Sequence, residues 1–198
     1  VPGFIAPERK IGPVIRQVLS ESTGQVIVAS FASHVHRVQQ VLDAARAVGR
    51  KVCLSGRSME RNMNIAAQAG YLDLDPEVVV RADELKRLPP EKRVWMVTGS
   101  QGEPLAALSR IAQGEHRLVS LEPEDTVLLA SSLIPGNENS VYRVINALMR
   151  QGANVVHKGN RAVHVSGHAA EGELLYTYNI VQPKNVMPIH GEIRHLIA

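Results

Sequence analysis

Four histidines stand beside small, polar residues at points where an apolar run ends: His34, His164, His168 and His190. An imidazole there can ligate a metal, hydrogen-bond a phosphate oxygen or carry a proton near neutral pH. Spacing limits which of these can act together. His34 and His36 lie two apart at the start of a helical stretch, so they face different directions and make a poor metal pair. His164 and His168 are separated by Val165, Ser166 and Gly167, and they converge on one pocket only if the chain turns there. His190, between Pro188-Ile189 and Gly191-Glu192, fits a strand tip that presents its ring to a site. Each one, taken singly, is equally well a satisfied structural histidine.

Around them the apolar runs close in Ser- and Gly-rich segments: 29-ASFASHVHR-37, 55-SGRSMER-61, 98-TGSQGEP-104, 130-ASSLIPGNEN-139, 164-HVSGHAAEGE-173 and 188-PIHGE-192. In a parallel sheet such ends gather along one edge, where open α/β folds bind ligands. Helix N-termini at that edge favour anions. Any one loop is explained as turns and caps, but their recurrence points to a phosphate-bearing ligand. Arg37, Arg57, Arg61 and Lys158 are candidate contacts to a phosphate backbone, or else solvated charges.

Several chemistries lack their motif. H-x-H-x-D-H, H-E-x-x-H, C-x-x-C, G-x-x-x-x-G-K-[ST], G-x-G-x-x-G and G-x-S-x-G are all missing from the sequence. Catalytic zinc commonly has three protein ligands, which this chain does not obviously supply. If it acts on a phosphate ester, part of the catalytic set is elsewhere.

The elements that must position these residues follow from periodicity. Strands are expected at 25–30, 51–56, 94–100, 126–132, 154–159, 161–167 and 185–191. Several are apolar throughout, as in strands buried on both faces. Helices are expected over 34–48, with Val35, Val38, Val41, Leu42 and Ala45 on one stripe, and over 137–152, with Asn137 as N-cap. The pattern predicts an α/β fold, a doubly wound parallel sheet with helices on both faces. The charged segment 73–93 reads as a surface excursion. Near residue 150 the pattern changes, and Gly159-Asn160 suggests a β-hairpin that leaves the first sheet.

Composition is that of a globular chain: 198 residues, 44% hydrophobic, 21% charged, formal net charge +3. No apolar run approaches the roughly 18–20 residues of a membrane helix, so no membrane partner is expected. With one cysteine, Cys53, and no leader-like opening, the location expected is cytoplasmic. A pI near 9.2 permits a nucleic-acid partner without requiring one.

The runs 28-VASFASHVHRVQQV-41, 98-TGSQGEPLAALSR-110, 130-ASSLIPGNE-138, 164-HVSGHA-169 and 187-MPIHGE-192 together resemble the bacterial ribonuclease J family, in the β-CASP group of metallo-β-lactamase-fold ribonucleases. The resemblance implies a β-CASP domain over residues 1–152. Residues 153–198 would be the return segment of a metallo-β-lactamase domain whose remainder is absent, a piece with a hairpin, a helix and a strand. It implies that His168 acts at the scissile phosphate and that His190 ligates one zinc. The stretch His164, Val165, Ser166, Gly167, His168 and the loop Ala32, Ser33, His34 would contact RNA phosphates. The activity implied is hydrolysis of single-stranded RNA by a two-zinc centre, 5′-to-3′ from 5′-monophosphate ends and also internally, in RNA maturation and decay. The parent is expected to form a dimer or tetramer. The family's zinc motif is not in this sequence, so the chain is expected to be an inactive fragment that clamps RNA. The alternative is a non-catalytic doubly wound module that binds a nucleotide or an RNA end. A third reading is a scaffold whose loops are only caps and turns.

Overall fold

The computed structural model describes residues 2–189, 191–193 and 196. The chain forms two compact units, one of Pro7–Val165 and one of Val1–Ala6 with Ser166–Ala198.

The larger unit runs, in chain order, α1 (Ile11–Glu21), β1 (Val26–Ala29), α2 (Val35–Ala47), β2 (Lys51–Leu54), α3 (Arg57–Gln68), α4 (Ala82–Leu85), β3 (Arg93–Val97), α5 (Ala107–Ala112), β4 (Thr126–Leu129), α6 (Glu138–Arg150) and β5 (Asn154–Val156). The strands form one sheet in the order β2-β3-β1-β4-β5, and every pair is parallel. Helices cover both faces, as the alternation of apolar runs and helical stretches predicts.

Side chains of a strand alternate between faces, and the two cores show it. Val26, Val28, Val52, Met96 and Leu128 pack with Ile15, Leu19, Val38, Leu42 and Met63 from α1, α2 and α3. Ile27, Ala29, Trp95, Val127 and Leu129 pack with Leu108, Ile111, Val141 and Leu148 from α5 and α6. Of the stripe expected on α2, Val38, Val41, Leu42 and Ala45 are buried. At the amino edge Asp125, 3% exposed, accepts hydrogen bonds from the backbone N–H groups of Gln25 and Glu122 and from the Gln25 side chain. Gln25 Oε1 in turn accepts the Trp95 indole N–H at 3.0 Å. Burying this carboxylate is tolerable because its oxygens are met by donors.

The excursion at 73–93 folds back on the sheet. Val52 of β2 donates its N–H to Val78 O at 2.8 Å and accepts the N–H of Val80 at 2.9 Å, which covers the outer edge of β2.

Three expectations are corrected. No hairpin forms at Gly159-Asn160 among the described residues: β5 lies parallel to β4 in the same sheet. Val155 and Val156 are buried, one in each core. The Asn160 side chain donates to Val155 O at 2.9 Å and accepts the His157 N–H at 2.8 Å, closing a tight turn instead of starting an antiparallel ladder. The described residues of 185–191 contain no strand. Asn137 does not cap α6 with its side chain; it sits at φ −97°, ψ 0°, away from the extended geometry a side-chain cap needs.

In the smaller unit α7 (Glu171–Val181) is the principal element. Glu173 accepts the N–H groups of Ala170 at 2.6 Å and Ile5 at 3.0 Å, and Gly172 N–H donates to Gly3 O at 2.9 Å. The side chains of Leu175, Tyr176, Ile180 and Val181 are exposed.

Candidate functional site

Arg37 lies in the first turn of α2 and is fully buried. Its Nε and Nη2 donate to the two carboxylate oxygens of Glu8 at 2.6 and 2.9 Å. Its Nη1 donates to Ala130 O, just past β4, at 2.6 Å, and to Val163 O, beyond β5, at 2.9 Å. A buried guanidinium needs this full set of acceptors. Arg37 is therefore a clamp between loops and does not reach a ligand as a backbone contact, which corrects the sequence expectation. Arg57, Arg61 and Lys158 are exposed.

Two of the singled-out histidines gather at this clamp. His34 Nε2 lies 3.7 Å from Glu8 Oε1. His164 carries a buried Nδ1 without a hydrogen-bond partner. Its pKa is pushed down to about 4, first by burial and then by the Arg37 and Lys158 charges, against the pull of Glu8. Burial, with Arg37, also lowers His34. Burial would raise the Glu8 carboxyl, but the Arg37 hydrogen bonds and charge, joined by His34 and His164, bring it below its usual value. Both rings are thus mainly neutral at pH 7, able to donate one hydrogen bond each without adding charge.

The rest of the first loop is ordered around them. Ala32 packs on the core and its carbonyl accepts from Asn62 Nδ2 at 3.1 Å, while Ser33 is exposed. Val165 packs against the same core. Ser166, Gly167 and His168 belong to the smaller unit and are exposed. There the Ser166 hydroxyl accepts the His168 N–H at 3.1 Å, which bends the chain at Gly167. His190 lies outside the described residues. The structure thus brings His34 and His164 together through Glu8 and Arg37. Glu8 was missed in the sequence because nothing in 7-PERK-10 marks its partner 29 residues later.

Among the described residues no three His, Cys, Asp or Glu side chains come together to hold a metal ion. Cys53 is buried, and burial, with Glu60 and Asp83 nearby, pushes its thiol up to about 11, so it is not a ready nucleophile or ligand.

Polar loops at the carboxyl edge of a parallel sheet covered by helices define an α/β domain, and in open folds of this class that edge is where ligands bind. Residues 23–148 match the family model for the β-CASP domain of ribonuclease J, and residues 152–198 match a Zn-dependent metallo-hydrolase RNA specificity domain. This chain belongs to the ribonuclease J family. It is 51% identical over 197 residues to Ribonuclease J of Mycolicibacterium smegmatis, covering 100% of this chain and 35% of that protein. Ribonuclease J of Mycobacterium tuberculosis H37Rv is 48% identical over 198 residues, covering 100% and 36%. That of Thermus thermophilus is 42% identical over 194 residues, covering 98% and 34%. The chain therefore spans about a third of the length of these curated relatives.

Proposed function

We propose that this chain is the RNA-holding part of a zinc-dependent ribonuclease that hydrolyses RNA phosphodiester bonds. The activity would run 5′ to 3′ from 5′-monophosphate ends and also cut internally, in RNA maturation and decay in the cytoplasm. The observation that carries this reading is the meeting of His34 and His164 about the Glu8–Arg37 pair, at the edge where the polar loops gather. Neutral imidazoles and the Ser33 and Ser166 hydroxyls suit phosphate oxygens as hydrogen-bond donors. His34 and His164 would hold phosphates from the larger unit, with Ala32 and Val165 setting the backbone around them. Ser166, Gly167 and His168 would do so from the smaller unit, with His168 acting at the scissile phosphate. The domain division would fall between residues 152 and 153.

Zinc supplies an activated water and a Lewis acid when bound. The described residues do not by themselves form an ion site. His190 would add one ligand to a two-zinc centre held mainly by residues beyond this sequence. On its own the chain would hold RNA without cleaving it, and the full-length protein would assemble as a dimer or tetramer.

The test is cleavage by the full-length polypeptide of matched RNAs that differ only in a 5′-monophosphate or 5′-hydroxyl. Stepwise release of mononucleotides, faster from the 5′-monophosphate and abolished by a chelator, is the expected result. Binding without turnover in the zinc-loaded protein would instead establish the non-catalytic RNA-end module. That second reading is favoured only by the lack of an ion site among the described residues.

A further inference from the structure

A cavity of about 360 Å³ opens at the carboxyl ends of β3, β4 and β5, apart from the His34–His164 cluster. Leu129, Val141 and Ile145 give it an apolar part, and Ser131, Tyr142, His157 and Lys158 line it as well. Three features suggest a built site. Ser100 lines the cavity, is 2% exposed, and its hydroxyl has no hydrogen-bond partner; such a group normally finds one. Tyr142 lines the same cavity and is 48% exposed, so its side chain is only partly covered. The walls are also fixed in place. Gln101 is 4% exposed; its Nε2 donates to Ser132 O at 2.8 Å and to Ser131 Oγ at 3.3 Å, and its Oε1 accepts the Ile134 N–H at 3.0 Å. These bonds tie the loop after β4, which carries Ser131 and Ser132, to Gln101.

We propose that this cavity receives one nucleotide of a single-stranded RNA. The base would stack on Tyr142 over the apolar floor, its polar edge would meet the Ser100 and Ser131 hydroxyls, and its phosphate would face Lys158. An apolar slot beside a tyrosine ring, with an unpaired serine hydroxyl and a lysine, is the chemistry that takes a nucleobase and its phosphate together. The inference rests on the RNA-handling reading above but names a place distinct from the His34–His164 cluster.

The experiment uses the full-length polypeptide with an oligoribonucleotide carrying 5-iodouridine, which photocrosslinks to aromatic rings. Crosslinked peptides are identified by mass spectrometry, and oligonucleotide affinity is measured in parallel. The expected crosslink is at Tyr142. Tyr142→Ala should weaken binding about tenfold, Tyr142→Phe should retain both affinity and crosslink, and Lys158→Ala should weaken binding and flatten its salt dependence. Tyr142 is half-exposed, so these variants should keep the wild-type melting temperature. If the protein binds and cleaves RNA while crosslinks fall elsewhere and Tyr142→Ala binds normally, this inference is overturned and the proposed function stands. Absence of any RNA binding would overturn both. A pocket that takes free uridine monophosphate, with no oligonucleotide crosslink at Tyr142, would be a mononucleotide site and would overturn the assignment to the RNA strand.

Discussion

Glu8 and Arg37 face each other through paired hydrogen bonds of 2.6 and 2.9 Å, joining the segment before α1 to the start of α2. The same guanidinium holds the backbone beyond β4 and beyond β5 through Ala130 O and Val163 O. One side chain thus sets the mutual placement of the loops that carry His34 and His164.

Removing it should therefore be costly. Arg37→Ala leaves the Glu8 carboxylate and two carbonyls without their donor, and loss of about 3–5 kcal/mol of stability is expected. Arg37→Lys should lose much of the same, because an ammonium cannot present the planar fork. Urea denaturation of both variants checks this. A loss in either of under 1 kcal/mol, on the order of a surface ion pair, would show that the clamp is not structural.

A pH dependence follows from His164. Its folded-state pKa, about 4, lies below its ordinary 6.5, so the unfolded chain binds a proton that the folded chain refuses. The stabilisation is complete above pH 6.5 and is lost as pH falls from there toward 4. His34 is lowered too and acts in the same direction. Glu8, lowered from 4.5, contributes a further loss at still lower pH. His164→Gln should flatten the fall in unfolding free energy between pH 6.5 and 4.5. An unchanged slope would mean that His164 titrates normally in the fold.

Gly102 cannot take a side chain. It has φ +74°, and an added Cβ would lie 2.6 Å from the Ser140 carbonyl carbon at the start of α6. Gly102→Ala should destabilise the protein by about 1–3 kcal/mol through strain and displacement. It should also weaken oligonucleotide binding, because Gln101 holds the β4 loop from the adjacent position. A variant with wild-type melting temperature and affinity would contradict the tight approach.

The strands up to β4 and the two long amphipathic helices were legible because their signal is local: continuous apolar runs for strands buried on both faces, and a 3.6-residue stripe on α2 and α6. β5 was legible as a strand but not as a member of this sheet. Gly-Asn is an ordinary hairpin signal, and only the burial of Val155 and Val156 in both cores decides against it. The candidate site divides in the same way. His34 and His164 stand out by type and setting, whereas Glu8 does not, and Arg37 reads as a contact to a phosphate backbone or a solvated charge. Their roles depend on contacts 29 to 126 residues apart in the chain, which no local spacing encodes. Ser100 and Tyr142 share a cavity for the same reason, and Tyr142 in isolation is one more residue on a helix.

The Val78–Val80 segment pairs with Val52 on the β2 border of the sheet. An unpaired border strand is where one molecule can recruit the next by extending its sheet. At Val52 that place is already taken by the chain's own backbone, so an incoming strand would first have to displace Val78–Val80 there; on the opposite border the Asn160 side chain already holds Val155 O.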